Sequence, residues 1–306
     1  MVVQPIQCTL CGNKDITIIN NKIRNVTDDS CRMYECSLCG THFIYPQPKE
    51  EQLEIYYDGQ FREEVHTSIY YDKDVLTKVF HGFSLEATQR VARIEDDLNI
   101  SDDILEIGCS LGYFLSAVAD KVHIAYGTEW DSRARAYIDE VIHNAKIKTS
   151  LNPQDFGIKF DKIFLFHVLE HISDPVQFLI NLKPLLKERS KIYIEVPNVD
   201  DILVKTFQCD AFKDFYYKKA HLYNFNENGL QYIFEHSGYN YDIQFIQRYD
   251  ISNHLYWLAN RRPNGRGAYS NILSDQVNDE YVKSLVNSKQ TDTLFAIIHV
   301  HLLQTS

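Results

Sequence analysis

A chain of 306 residues, 44% of them hydrophobic, is long enough for one full core with a smaller unit beside it. Its net charge of −11 argues against a nucleic-acid partner, because a phosphate backbone asks for a basic face. No apolar run approaches the roughly 20 residues that cross a bilayer, and the opening "MVVQPIQCTLCG" has neither a basic start nor an apolar signal stretch. The expectation is a soluble, cytoplasmic protein with no membrane span and no nucleic-acid partner.

Five of the seven cysteines precede residue 40, and four of these form two copies of one phrase, "CTLCG" at 8–12 and "CSLCG" at 36–40. Two residues between thiolates let both sulfurs face one ion, and the glycine that follows permits the tight turn. Four soft ligands favour zinc, although a lone iron also fits. Disulfides are the competing reading, disfavoured in a cytosolic setting. Cys8, Cys11, Cys36 and Cys39 are therefore expected to hold a structural zinc closed to chemistry, with Cys31 a spare thiol. Residues 1–48 read as a zinc ribbon closed by Pro46 and Pro48.

Residues 49–98 read as a helical linker or lid. Val75, Val79, Phe83, Leu85, Val91 and Ile94 recur mostly at three- and four-residue spacing. Tyr56, Tyr57, Phe61, Tyr70 and Tyr71 gather here, either packing the helices or roofing a ligand. From residue 99 onward strands and helices alternate, which implies an α/β domain with a mostly parallel sheet. "ILEIG", "VHIAYGTEW", "AKIKTS", "FDKIFLFHV" and "KIYIEVP" are its first five strands, and a helix from Asp174 to Leu186 precedes the fifth. "YDIQFIQRYD" and "DTLFAIIHVHL" are the last two, separated by an insertion at about 251–290. Asn224 or Asn226 caps a helix that buries Leu230, Ile233 and Phe234 and ends at Gly238. Ligands of such sheets bind at the carboxyl ends of the strands.

The first strand runs into Gly108-Cys109-Ser110-Leu111-Gly112, a turn whose glycines allow close approach to the backbone. Glu106, two residues before it, suits an ammonium group better than a phosphate. Glu129 ends the second strand, where its two oxygens match the two donors of a vicinal diol. The competing reading makes Glu129 a neighbour of the next helix cap.

Together, "ILEIGCSLGYFL", "YGTEWD", "FDKIFLFHVLEHISDP" and "IYIEVPN" resemble the class I S-adenosylmethionine-dependent methyltransferases over roughly residues 100–240. The resemblance implies a Rossmann-like fold with an antiparallel edge hairpin. It also implies a cofactor cradle of Glu106, Gly108, Cys109, Ser110 and Gly112 around the methionine part, with Ser110 where many members carry glycine. Glu129 would take the ribose hydroxyls, Trp130 the adenine ring and Asp155 the adenine amino group, while His167 would border the methyl donor through its backbone. His171 would brace the loop, contact the cofactor or act as a base.

"AHLYNF" resembles a histidine segment that faces the methyl group in sugar-modifying members. Sugar C-methyltransferases with an N-terminal four-cysteine domain have Tyr-x-Glu-His there, and this chain has Lys218-Lys219-Ala220-His221. Losing the Tyr and Glu favours O-methylation, for which one near-neutral imidazole suffices as base, and His221 is the candidate. Arg248, Arg261, Arg262 and Arg266, with His254 nearby, read as a diphosphate clamp or a solvated turn. Over the whole chain the resemblance is to methyltransferases of bacterial surface-polysaccharide and sugar-nucleotide pathways, implying a sugar nucleotide or glycan precursor as small-molecule substrate. The competing functions are C-methylation of a nucleotide-linked keto-sugar, a zinc-ribbon scaffold with a vestigial cofactor pocket and, more distantly, a dehydrogenase.

Overall fold

The computed structural model describes residues 6–24, 26, 31–48 and 72–300. The aromatic cluster expected at Tyr56–Tyr71 lies outside the described residues. In chain order the strands are β1 (Ile16–Asn20), β2 (Arg32–Cys36), β3 (His42–Tyr45), β4 (Asp103–Ile107), β5 (Ile124–Thr128), β6 (Ile147–Ser150) and β7 (Phe160–Phe166), then β8 (Leu186–Pro197), β9 (Tyr223–Asn224), β10 (Asn240–Ile246) and β11 (Thr293–His299). The helices are α1 (Lys73–Arg93), α2 (Tyr113–Val118), α3 (Ser132–Tyr137), α4 (Pro175–Leu182), α5 (Ile202–Lys205), α6 (Asp210–Tyr216), α7 (Glu227–Ser237), α8 (Ile251–Asn260) and α9 (Asp275–Asn287).

Seven strands form one sheet in the order β10-β11-β8-β7-β4-β5-β6. β4 pairs in parallel with both β5 and β7, β5 pairs in parallel with β6, and β10 with β11 supplies the antiparallel edge. This is an α/β Rossmann-like methyltransferase sheet. Its central strands are continuous apolar runs, as burial on both faces demands: Ile163, Phe164 and Leu165 on β7 and Ile192 and Ile194 on β8 are all fully buried.

Contact density divides the chain into two compact units. One comprises Pro48–Val168, Leu179–Ile194 and Ile297–Ser306. Its core includes a ring cluster in which Phe114 of α2 lies 4.8 Å from both Phe164 and Phe166, and Phe164 stacks on Tyr193 at 5.0 Å and 11°. A second cluster joins Leu76 of α1 to Leu111, Ala134 and Tyr137. The buried stripe of α1 runs through Leu76, Ala87, Arg90 and Val91, while Phe83 and Leu85 are exposed. Of the expected face, Val91 and Ile94 are buried and Val79 packs against the Leu76 cluster, while Leu76 is more buried than the expected Val75 beside it.

The other unit comprises Met1–Gln47, Leu169–Phe178 and Glu195–Ala296. Antiparallel β1, β2 and β3 form the ribbon, with Cys8 and Cys11 before β1, Cys36 ending β2 and Cys39 between β2 and β3. β9 extends this sheet from 180 residues along the chain, with His42 opposite Asn224 and Phe43 opposite Tyr223. Helix α7 follows, capped by Asn226, whose side chain accepts from the Gly229 N–H at 2.9 Å, and closed by Gly238 in the left-handed region. A Cβ at Gly229 would fall 2.2 Å from Thr41 Oγ1, so α7 sits hard against the ribbon.

Phe114→Ala removes a fully buried ring that packs on both Phe164 and Phe166. The expected cost is about 3–5 kcal/mol, seen as a lower urea midpoint with unchanged slope. A change below about 1 kcal/mol would show that the cluster does not carry the core.

Candidate active site

At the carboxyl end of β4 the backbone turns through three left-handed residues, Gly108 (φ 73°), Ser110 (φ 52°) and Gly112 (φ 76°). A side chain is excluded at both glycines, since a Cβ at Gly108 would meet Val168 at 2.9 Å and one at Gly112 would meet Ile138 at 3.1 Å. The Gly108 and Cys109 N–H groups donate to Thr128 O at 2.8 and 2.9 Å, folding the turn over the end of β5. Ser110 N–H then donates to Glu129 Oε2 at 2.9 Å, and Asp131 N–H to Glu129 Oε1 at 3.0 Å. Both carboxylate oxygens are thus fixed in direction while keeping lone pairs for two further donors. Ser110 Oγ reaches Tyr113 OH at 2.9 Å, Cys109 is buried beneath the turn, and Trp130 beside Glu129 is 42% exposed.

Glu106 is 4% exposed, and its Oε2 has no hydrogen-bond partner among the described residues. Burial pushes its carboxyl up to about 8; Arg90 opposes the shift and Glu129 adds to it. Arg90, a residue the sequence patterns did not mark, lies over the Phe166 ring at 4.5 Å and donates to Glu86 at 3.1 Å. A buried acid with an orphaned oxygen, a left-handed turn bracketed by two glycines and an oriented second carboxylate fit S-adenosylmethionine: an ammonium, a methionine backbone and a ribose diol. His167, at the end of β7, holds a left-handed backbone (φ 57°). Asp155 is exposed and occupied locally, accepting from Ser150 Oγ and, at 3.1 Å, from Asn152 N–H.

In the other unit the four ribbon sulfurs lie within 4.8 Å of one another, with Cys8 to Cys39 at 3.8 Å and Cys11 to Cys36 at 3.5 Å. Tetrahedral zinc with bonds of about 2.3 Å asks for sulfurs roughly 3.8 Å apart, so the set fits zinc with little adjustment. Each knuckle closes with a glycine N–H donating to a cysteine carbonyl at 2.9 Å, Gly12 to Cys8 and Gly40 to Cys36. Cys31 is buried but is not one of the four.

The strand partner of the ribbon leads directly from the histidine segment. Arg24 N–H donates to Tyr217 O at 2.8 Å, Lys219 N–H to Arg24 O at 3.1 Å and Ile44 N–H to Leu222 O at 3.1 Å, so ribbon backbone clamps both sides of His221. His171 Nδ1 donates to Ala220 O at 2.7 Å, and its ring meets that of His221 edge-on at 5.0 Å. Lys218 is pushed down to about 8, first by burial and then by the like charges of Arg24 and Arg248, against the pull of Glu170.

Of the expected arginine clamp, Arg248 and Arg266 are in contact. Arg248 faces Glu195 at 3.8 Å and Asp292 at 3.6 Å, and its carbonyl accepts from Arg266 at 2.8 Å. His254 is buried on α8, held by Tyr281 OH at 2.7 Å, with burial lowering its pKa. Arg261 ends α8, and the exposed Arg262 donates to Tyr256 OH at 3.0 Å.

Residues 79–243 match the family described as a methyltransferase domain. Among curated proteins, a tRNA U34 carboxymethyltransferase from Campylobacter concisus is 27% identical over 107 residues, which is 32% of this chain and 36% of that protein. The corresponding protein from Campylobacter hominis is 30% identical over 108 residues, again 32% and 36%. The matched stretch thus spans about a third of the length of these relatives. Among solved structures, an S-adenosylmethionine-dependent methyltransferase from Archaeoglobus fulgidus aligns with TM-score 0.49 and 19% identity, covering 74% of this chain and 98% of that one.

The curated relatives correct two expectations. They are tRNA-modifying enzymes, not proteins of surface-polysaccharide or sugar-nucleotide pathways, and the argument against any nucleic-acid partner falls with that resemblance. The physical error was to read a sum as a surface. A net charge of −11 is compatible with a local cationic group, here Arg24, Lys218 and Arg248. No helix among the described residues is long and apolar enough to cross a membrane.

The cysteine geometry predicts one zinc per chain. Cys36→Ser or prolonged chelation should remove it and speed exchange of the Ile44 amide, whose partner is Leu222 O. A metal-free wild-type protein with the same slow Ile44 exchange would show that the ribbon needs no ion.

Proposed function

We propose, from the premise that this chain belongs to the methyltransferase-domain family, that it methylates a hydroxyl oxygen of an RNA. The chain is an S-adenosylmethionine-dependent methyltransferase; the acceptor class and the atom methylated are the proposed part. The observation that carries the reading is Glu129, a carboxylate aligned by two backbone N–H groups beside a turn crowded against a Cβ at Gly108 and Gly112. In this reading Glu129 accepts from the ribose hydroxyls, and the turn from Gly108 to Gly112 takes the methionine part with Glu106 opposite its ammonium. Trp130 lies along the adenine, and the His167 backbone borders the donor.

S-adenosylmethionine, when bound, supplies an already activated methyl group, so the protein needs to hold two partners close more than to supply strong acid–base chemistry. His171 and His221, whose rings meet edge-on, are the residues that would receive the acceptor hydroxyl. RNA as acceptor class is supported by the names of the curated relatives and by Arg24, Lys218 and Arg248, whose charges suit phosphate.

Two measurements test this reading. Label from methyl-labelled cofactor should enter total tRNA and be recovered after digestion on oxygen. Glu129→Ala, losing charged hydrogen bonds of about 1.5–3 kcal/mol, should weaken cofactor binding by roughly 10- to 150-fold. Label that enters only small sugar compounds, or a carbon atom, would overturn the proposal. No cofactor binding by folded wild type would favour a scaffold.

A third measurement concerns protons. With its carboxyl at about 8, Glu106 is mostly neutral at pH 7 in the free protein. An arriving ammonium stabilises the ionised form, so binding should release a proton and tighten as pH rises from 6 to 8. Calorimetry in buffers of different ionisation enthalpy should show this release, and Glu106→Gln should abolish it. Buffer-independent heats in the wild type would place the ammonium elsewhere.

A further inference from the structure

We infer that Glu170, His171 and His221 form a second metal site, for a divalent first-row cation with positions left open to an oxygen ligand. The juxtaposition is built from two distant segments of one compact unit. Glu170 and His171 follow one another in the short 3₁₀ turn Leu169–His171, and His221 lies 50 residues on, just before β9. Each residue offers one ligand atom, and the three atoms lie within 4.8 Å of one another. Bonds of about 2.1 Å bring such atoms roughly 3–3.4 Å apart, so a shift of about an ångström completes the shell.

Three features mark the cluster as a built site and not a chance meeting of polar groups. Glu170 is fully buried and His221 is 4% exposed, which puts both beyond ordinary surface charge. His171 Nδ1 donates to the Ala220 carbonyl at 2.7 Å, which leaves the Nε2 lone pair as the ligand atom and ties the ring to the residue preceding His221. The His221 backbone is itself held, its N–H donating to Lys218 O at 3.1 Å and the next residue's carbonyl accepting from Ile44. Two neutral imidazoles and one carboxylate leave a divalent ion a net positive charge and open positions. Such an ion lowers the pKa of a bound oxygen acid.

The inference rests on the reading of a hydroxyl acceptor and deepens it. An acceptor hydroxyl bound to the ion loses its proton to solvent. Its oxygen pair then forms the new O–CH3 bond as the S–CH3 pair returns to sulfur, leaving S-adenosylhomocysteine. The ion, and not a free imidazole, then makes the oxygen nucleophilic. The rival reading makes Glu170 only the counter-ion of Lys218, whose ammonium feels its field.

Mn2+ is the probe, because four thiolates disfavour it and the ribbon will keep its zinc. Zinc-loaded full-length protein titrated with Mn2+ should remove one equivalent of the free-ion EPR signal per chain. In the wild type, Mn2+ should broaden the imidazole resonances of His171 and His221 before those of the other histidines. His221→Ala and Glu170→Gln should each lose the Mn2+ equivalent while still binding S-adenosylmethionine, which controls for folding. An unchanged EPR signal with wild type, or broadening that begins at other histidines, overturns the site even if no variant folds. Methyl transfer at full rate after removal of all divalent ions except the ribbon zinc, with no Mn2+ uptake, would sink the metal and leave the methyltransferase reading intact. One Mn2+ bound at these histidines without transfer to any hydroxyl would do the reverse.

Discussion

Three consecutive choices of left-handed backbone, at residues 108, 110 and 112, determine what the carboxyl end of the parallel sheet can do. L side chains avoid that region, and at Gly108 and Gly112 the neighbours Val168 and Ile138 also occupy the space a Cβ would need. The cost at Ser110 is met by what its N–H gains, a bond to the carboxylate of Glu129. That bond joins the end of β4 to the end of β5 and aims the acid that follows β5. A loop of ordinary backbone there would leave Glu129 free to turn into solvent, and the cradle would lose its one pre-aligned acceptor.

The same economy appears in the ribbon. So few residues cannot bury enough apolar surface to fold unaided, and the four sulfurs supply the missing cross-link. What the ribbon then provides is sheet edge. β3 would present unpaired N–H and C=O groups, and β9 covers them, so the chain leading to β9 is held by backbone hydrogen bonds from Arg24 and Ile44 on either side of His221. A structural ion far from the chemistry in sequence is thereby coupled to the placement of a histidine that the local sequence, Lys218-Lys219-Ala220-His221, does little to position.

Legibility in the sequence followed the physics of each element. β4, β5, β7 and β8 are buried on both faces and show as apolar runs. The cysteine knuckles show because two residues between ligands is a geometric requirement. The cap at Asn226 and the stop at Gly238 show because few residues satisfy those backbone positions. β9 was invisible, since two residues pairing across 180 positions carry no periodicity. Arg90 was invisible for a different reason: on a helix of otherwise polar character it reads as a solvated residue. The sequence does not show that the fold brings the Phe166 ring and the buried Glu106 near a guanidinium that also pairs with Glu86. Closeness in sequence likewise says nothing about which carboxylates claim a guanidinium, here Glu195 and Asp292 beside Arg248.

Charge is therefore better read by unit than by chain. Around the glycine turn the acids are the buried Glu106 and the half-buried Glu129, with Arg90 as the nearby opposing charge, an arrangement that favours a cationic small molecule. Around His221 the sign reverses, with Arg24, Lys218 and Arg248 near one another and Glu170 among them. Burying like charges together is costly unless something neutralises them, and depressing the Lys218 ammonium is one way the free protein relieves that cost. An anionic acceptor would relieve it in another, by returning the lysine to full charge. A whole-chain charge of −11 averages these two environments into a number that describes neither.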